Sequence, residues 1–189
     1  LELISEGKGN TDLISAYTSS SIGLSDQVTL NVGINVQVLT LNNSWVLEPR
    51  AGVKWQASPK SSFALAYGLH SRMEKMDVYF VKTQGTGDRS VNKDLDFTKA
   101  HHVMLSYGFK VSDNMNVKIE PYFQYLYDVP VIADSSYSVL NRRDFYVEDA
   151  LVNRGKGRNI GIDLTLERYL NKGLYYMVTA SIFNSRYYG

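Results

Sequence analysis

Apolar residues along this chain alternate with polar or small ones, over runs longer than ordinary strands. In 27–41 the even positions read Val28, Leu30, Val32, Ile34, Val36 and Val38, and the odd positions read Gln27, Thr29, Asn31, Gly33, Asn35 and Gln37. Successive side chains of a strand point to opposite faces, so this run has one aliphatic and one polar face; a helix would scatter the aliphatic residues around its circumference. The same alternation predicts strands over 46–57 (Leu47, Pro49, Ala51, Val53, Trp55), 61–72 (Phe63, Leu65, Tyr67, Leu69), 98–111 (Val103, Leu105, Tyr107, Phe109) and 115–129 (Val117, Ile119, Phe123, Tyr125). It continues over 158–170 (Ile160, Ile162, Leu164, Leu166) and 173–186 (Leu174, Tyr176, Val178, Ile182), and 11–24 completes a set of about eight.

A soluble strand averages about 5–6 residues, whereas a tilted strand crossing a bilayer needs about 9–11 and some projection beyond. Runs of this length favour a membrane wall. The connections support it. Ser25-Asp26, Ser58-Pro59-Lys60, Ser112-Asp113-Asn114 and Asn171-Lys172-Gly173 have the composition of tight turns, while 42–45, 73–97 and 130–157 are expected as loops at the opposite ends. Short turns on one side and long loops on the other is the layout of outer-membrane barrels, with turns toward the periplasm and loops outside. The expected fold is all-β: an antiparallel transmembrane β-barrel wall of about eight long strands.

Composition adds less. Lys and Arg number 20 against 19 Asp and Glu, which removes the electrostatic case for a nucleic-acid partner. There is no cysteine, so disulfides and thiolate chemistry are excluded. Tyrosine is abundant at 14 residues, and its amphipathic ring suits a surface where an apolar band meets water. Mean hydropathy is slightly negative and no run approaches the about 20 apolar residues of a membrane helix, but barrel strands conceal their apolar face in alternation. The chain opens on Leu1 with no signal-peptide pattern, so the expectation is either a signal removed far upstream or an internal portion of a longer protein.

The polar face carries Glu48, Arg50, Lys54, Lys118, Glu120, Asp163 and Glu167. Charges of both signs on a face of small residues suggest a wet lumen; a solvent-facing side of a soluble sheet would look similar. His101 and His102 are adjacent, so they point to opposite faces and cannot chelate one ion together; no metal site and no cofactor is expected. Gly155-Lys156-Gly157 lacks phosphate-loop spacing and reads as a flexible entry into the next strand. Ser19-Ser20-Ser21 shows no nucleophile elbow, and no enzyme activity is expected. The long loops mix charge with aromatics, and Arg72, Tyr79, Phe80, Tyr137, Arg143, Phe145 and Tyr146 are the candidate contacts for a ligand at the outer mouth.

Several runs, taken in order, carry a family resemblance: Trp45-Val46-Leu47-Glu48-Pro49-Arg50-Ala51-Gly52, Phe63-Ala64-Leu65-Ala66-Tyr67-Gly68-Leu69-His70, Glu120-Pro121-Tyr122-Phe123-Gln124-Tyr125, Asn153-Arg154-Gly155-Lys156-Gly157-Arg158-Asn159-Ile160 and the closing Tyr175-Tyr176-Met177-Val178-Thr179. Over about 28–189 the chain resembles TonB-dependent outer-membrane receptors, particularly the Bacteroidetes-type members with an N-terminal carboxypeptidase-regulatory-like domain. The resemblance implies a 22-stranded barrel around an N-terminal plug, in the bacterial outer membrane. It implies import of a scarce small solute, such as a chelated metal, cobalamin or a glycan, driven by the TonB complex. Residues 1–189 then represent a later part of the barrel, without the plug or the segment that engages TonB. Its partners are outer-membrane lipid, the solute, and TonB through the N-terminal part. The rival reading is a soluble or secreted β-protein binding an apolar or glycan ligand, with the aliphatic faces turned into a shared core.

Overall fold

A computed structural model describes residues 8–82, 90–133, 135, 149–171 and 173–189. Eight strands follow one another: β1 (Leu13–Gly23), β2 (Val28–Leu39), β3 (Ser44–Ser58), β4 (Ser61–Arg72), β5 (Thr98–Ser112), β6 (Met115–Ile132), β7 (Leu151–Asn171) and β8 (Leu174–Tyr188). A single-turn helix, α1 (Met76–Tyr79), lies between β4 and β5. Every strand pairs antiparallel with its sequence neighbours in one sheet ordered β1 to β8. Among the described residues β1 and β8 do not pair with each other, so the sheet is open.

The register converts the alternation into two faces. One row crosses all eight strands as Ser19, Gly33, Arg50, Gly68, His102, Gln124, Asn159 and Ser185. The next row, on the other face, reads Ser20, Val32, Ala51, Tyr67, Val103, Phe123, Ile160 and Asn184. A one-residue slip in any ladder would exchange these faces. No described element covers the apolar face: Leu65 is 46%, Leu105 52% and Ile182 71% exposed. The rival soluble reading needs that face in a core, and here it is bare. Along β3 its apolar positions run from Leu47 to Trp55, about 27 Å at the usual strand rise, enough to match the apolar band of a membrane barrel once tilted.

Turns and loops segregate as expected. Ser25 closes the β1–β2 turn, its hydroxyl accepting from the N–H groups of Gln27 and Val28 at 3.2 and 3.1 Å. Ser58 does the same for Lys60 and Ser61. Gly173 sits at φ +81 between β7 and β8, a conformation that glycine adopts without a Cβ penalty.

The buried core is not within the sheet but at its loop end. Residues 73–82 and 90–97 fold over the strand ends, and Val78, Tyr79, Phe80, Leu95 and Phe97 cluster with Leu39, Val46 and Leu151. Leu39 and Val46 share strand parity with Gln37 and Glu48, so this cap rests on the polar-face side of the sheet. The cap is tied down over long sequence distances. The Asn92 side chain accepts from the Leu151 N–H at 2.8 Å and donates to the Asp149 carbonyl at 3.0 Å. Asn153 accepts from the Asp96 N–H at 2.9 Å and donates to the Asp128 carbonyl at 2.7 Å.

One expectation is corrected. Gly155-Lys156-Gly157 is not a flexible entry but lies inside β7, which begins at Leu151. Gly155 faces Val129 at a bulge, where Asp128 takes φ +55. A Cβ on Gly155 would lie 2.9 Å from the Val129 carbonyl oxygen and 2.5 Å from the Val131 side chain. Glycine within a strand marks close approach by a neighbour rather than looseness.

Candidate functional site

The polar face is the candidate site. All seven charges expected in a lumen share it. Arg50 is in the row given above; Glu48 and Lys54 lie two and four residues from it on β3. Glu120 and Lys118 lie four and six residues from Gln124 on β6, and Asp163 and Glu167 four and eight from Asn159 on β7. Even spacing in unbroken strand keeps each on one face.

Glu48 is the most organised of them, at 3% exposure under the rim of the loop cap. Its Oε1 accepts from the Ser71 N–H and hydroxyl, both at 2.6 Å, and from the Gln37 amide at 2.9 Å. Its Oε2 accepts from the Asn35 amide at 2.7 Å, with the Arg50 guanidinium at 3.8 Å. Four donors and a nearby cation satisfy a carboxylate that burial would otherwise penalise. β2, β3 and β4 meet here, so Glu48 positions the strands as much as it charges the face.

Below it the face is hollowed. A depression of about 510 Å³ is lined by Ser19, Ser21, Asn31, Arg50, His70 and His102. The His70 and His102 rings lie edge to face at 6.0 Å, and His102 meets Tyr122 edge-on at 6.2 Å. Nearer the turns, a wider hollow of about 760 Å³ reaches from β3 to β7 past Lys54, Lys118, Glu120 and Glu167. There the Lys118 ammonium pairs with Glu120 at 2.7 Å, a half-exposed contact of the kind that contributes about 0–1 kcal/mol. Such a surface offers hydrogen bonds and balanced charge to water, a polypeptide or a solute. Among the described residues no three metal-ligating side chains gather.

His101 and His102 point to opposite faces: His101 contacts Tyr67, whose hydroxyl is 2.9 Å from its Nδ1, on the apolar side. The meeting of His70 with His102 was missed in sequence, where the two are far apart; pairing β4 with β5 through their register reveals it, since Gly68 opposes His102.

The loop candidates fare differently. Arg72 is exposed, 4.0 Å from the buried Glu74 carboxylate. Tyr79 is 0% and Phe80 6% exposed; both belong to the core of the cap. A side chain at Gly9 would run into the Phe80 ring, and the Tyr79 hydroxyl accepts from the Glu74 N–H at 3.2 Å. In this arrangement neither presents a surface to a solute, because both are packed into the cap's core with Val78, Leu95 and Phe97. Burial foremost, then the Glu74 and Asp96 carboxylates, push the Tyr79 hydroxyl above its usual range, against a lowering contribution from the Glu74 N–H. Tyr137, Arg143, Phe145 and Tyr146 lie outside the described residues.

No family model matches the chain, and no curated protein matches it. Solved structures do. The FrpB iron transporter of Neisseria meningitidis (F3-3 variant) superposes at TM-score 0.65 with 18% identity, over 94% of this chain and 26% of its own. The outer membrane transporter YddB of Escherichia coli gives TM-score 0.72 at 13% identity, over 94% of this chain and 25% of that one. The alcaligin outer membrane receptor FauA of Bordetella pertussis gives 0.61 at 14%, over 93% and 30%. The chain therefore spans about a quarter to three tenths of the length of these structures. Its eight antiparallel strands, polar on one face and apolar on the other, have the fold of an arc of an outer-membrane β-barrel transporter.

Proposed function

We propose that this chain is part of the barrel wall of a TonB-dependent transporter in the bacterial outer membrane, importing a scarce small solute without covalent chemistry. The observation that carries this reading is the two-faced register. A continuous apolar face is left uncovered across the sheet, while seven charges of both signs share the other. In the proposed arrangement the apolar face meets lipid, the polar face surrounds a plug from an N-terminal part, and the capped loop end forms the outer mouth. The finer assignment, to Bacteroidetes-type members with a carboxypeptidase-regulatory-like domain, rests on the sequence runs quoted above.

Among chelated metals, cobalamin and glycans, a chelated iron is the first solute to test, since FrpB is an iron transporter. The experiment is energised uptake. Cells carrying the intact gene are expected to accumulate labelled solute only with a working TonB complex, and the protein should need detergent for extraction and migrate differently on gels before and after heating. Full activity in cells lacking TonB would refute the driven-transport reading. Recovery of the intact protein, monodisperse, in a detergent-free soluble fraction would refute the membrane wall itself.

A further inference from the structure

The polar face is not uniform. From β3 to β5 the hollow under Glu48 is lined by bases, and from β6 to β8 the face turns aromatic and amide-bearing. Glycines set this relief. A Cβ on Gly68 would lie 2.7 Å from the His70 Nε2, so that imidazole rests over the glycine. Arg50 and His102 oppose the same glycine from the two neighbouring strands. Among the described residues neither imidazole makes a hydrogen bond; their ring contacts are with each other at 6.0 Å and, for His102, with Tyr122 at 6.2 Å. Glu48, which Arg50 approaches at 3.8 Å, already accepts four hydrogen bonds. The notch at Gly68 therefore has donors to spare for an acid group.

On β7 the relief is different. A Cβ on Gly161 would lie 2.6 Å from the Tyr122 hydroxyl oxygen, and one on Gly157 would lie 2.6 Å from the Tyr187 ring. The two rings thus lie across β7 from opposite sides instead of standing off the sheet. Between them is Asn159, whose amide donates to the Gln124 carbonyl at 3.0 Å and whose carbonyl accepts from the Ser185 hydroxyl. A hollow of about 370 Å³ lies over this group, with Asp163 as an acceptor at its edge, and it shares His102 and Met104 with the basic hollow.

A guanidinium beside two imidazoles recognises a carboxylate through charge-assisted hydrogen bonds. Rings lying flat, with amides and a carboxylate beside them, recognise a ring that is apolar on its faces and hydroxylated at its rim, which is a sugar. Register places both groups along one row, Gly68, His102, Gln124 and Asn159. Adjacent strands stand about 4.8 Å apart, so that row measures about 14 Å, more than a single sugar ring spans. A free acid would use only the first group, and a neutral sugar only the second.

We propose that this row of the polar face binds an oligosaccharide carrying a carboxylate at one end. The acid group sits at Arg50, His70 and His102, and the uncharged sugar lies on Tyr122 and Tyr187 with its hydroxyls at Asn159. The inference rests on the transporter reading above and names an acidic glycan as the solute that this wall takes.

The test is isothermal titration of the full-length protein in detergent micelles. The probe is sialyllactose, which has a carboxylate on its terminal sugar and a neutral disaccharide behind it; lactose and N-acetylneuraminate are its two parts. Sialyllactose is expected to bind at least about tenfold more tightly than either part, the affinity equivalent of one charge-assisted hydrogen bond. Arg50→Gln should bring sialyllactose down to the level of lactose and leave lactose unchanged, whereas Tyr187→Ser should weaken both. If Arg50→Gln fails to reach the membrane, His102→Gln carries the same comparison. Equal affinity of sialyllactose and lactose, or of Arg50→Gln and unaltered protein for sialyllactose, overturns the acidic-glycan site. Absence of sialyllactose binding in a protein that still takes up another solute under TonB control also overturns the site and leaves the transporter reading standing. Selective binding with uptake indifferent to TonB supports the site and refutes driven transport.

Discussion

At the scale of single residues, two groups have consequences that measurements can reach. Glu48 collects four hydrogen bonds from the two flanking strands in a nearly solvent-free position. Removing one partner of a charged hydrogen-bond set leaves the others unsatisfied, at about 1.5–3 kcal/mol for the strongest contact alone. Glu48→Ala in the intact protein is therefore expected to lower stability by about 2–4 kcal/mol, read by urea unfolding in liposomes; a loss under about 0.5 kcal/mol would mean water replaces the lost carboxylate at no cost. Tyr79 gives a pH effect. Its folded-state pKa is raised above the ordinary 10.0, chiefly by burial, so the neutral hydroxyl is the form the cap accommodates. Below pH 10 it is neutral whether folded or unfolded and the cap keeps its full stability. Above that, the unfolded loop releases the proton first, and stability falls as pH rises toward the folded value. Limited proteolysis of the loop between β4 and β5 should accelerate as pH climbs past 10, and the acceleration should be absent in Tyr79→Phe.

At the scale of elements, neighbouring positions on one strand should respond in opposite ways. On β4, Leu65 points to the apolar face and Ala66 to the hollowed polar face. Leu65→Arg places a charge in the lipid band and is expected to cost about 2–4 kcal/mol, while Ala66→Arg should change stability by less than about 1 kcal/mol. Folding yield and urea midpoints of the two variants decide it, and equal penalties would show that the faces are not chemically distinct. The strands were legible in sequence because period-two alternation is a direct imprint of a two-faced sheet; β4 spans the expected 61–72 and β5 begins at the expected Thr98. β7 was read too short, since Gly155 and Gly157 lack the side chains that mark a face; both yield room to Val131 and Tyr187 across the ladders. The polar-face charges could be assigned for the same periodic reason. The loop cap could not: Tyr79 and Phe80 look like contact residues until the long-range clasp of Asn92 and Asn153 is known, and no local pattern announces pairings 57 to 59 residues apart. Nor does sequence show that Leu39 and Val46, apolar positions on the polar side, serve that cap.

At the scale of the molecule, the sheet is open among the described residues. β1 and β8 each leave one edge without a ladder among the described residues, and unpaired edges invite pairing with other strands. The 189-residue chain inserted alone into a planar bilayer is expected to give no discrete unitary conductance; a stable, reproducible channel would show that eight strands of this arc can close. Among the described residues no second layer packs on the sheet's apolar face, and the strands are fastened to each other by ladders and at one end by the cap. A final consequence follows from the order β1 to β8. Each ladder joins segments adjacent in the chain, so the cost of bringing partners together is that of closing a single hairpin, whereas the cap requires residues 57 to 59 positions apart to meet. Such a wall can grow as a zipper does, tooth by tooth from either margin. The loop cap is the late fastening that commits three already aligned hairpins to one shared mouth.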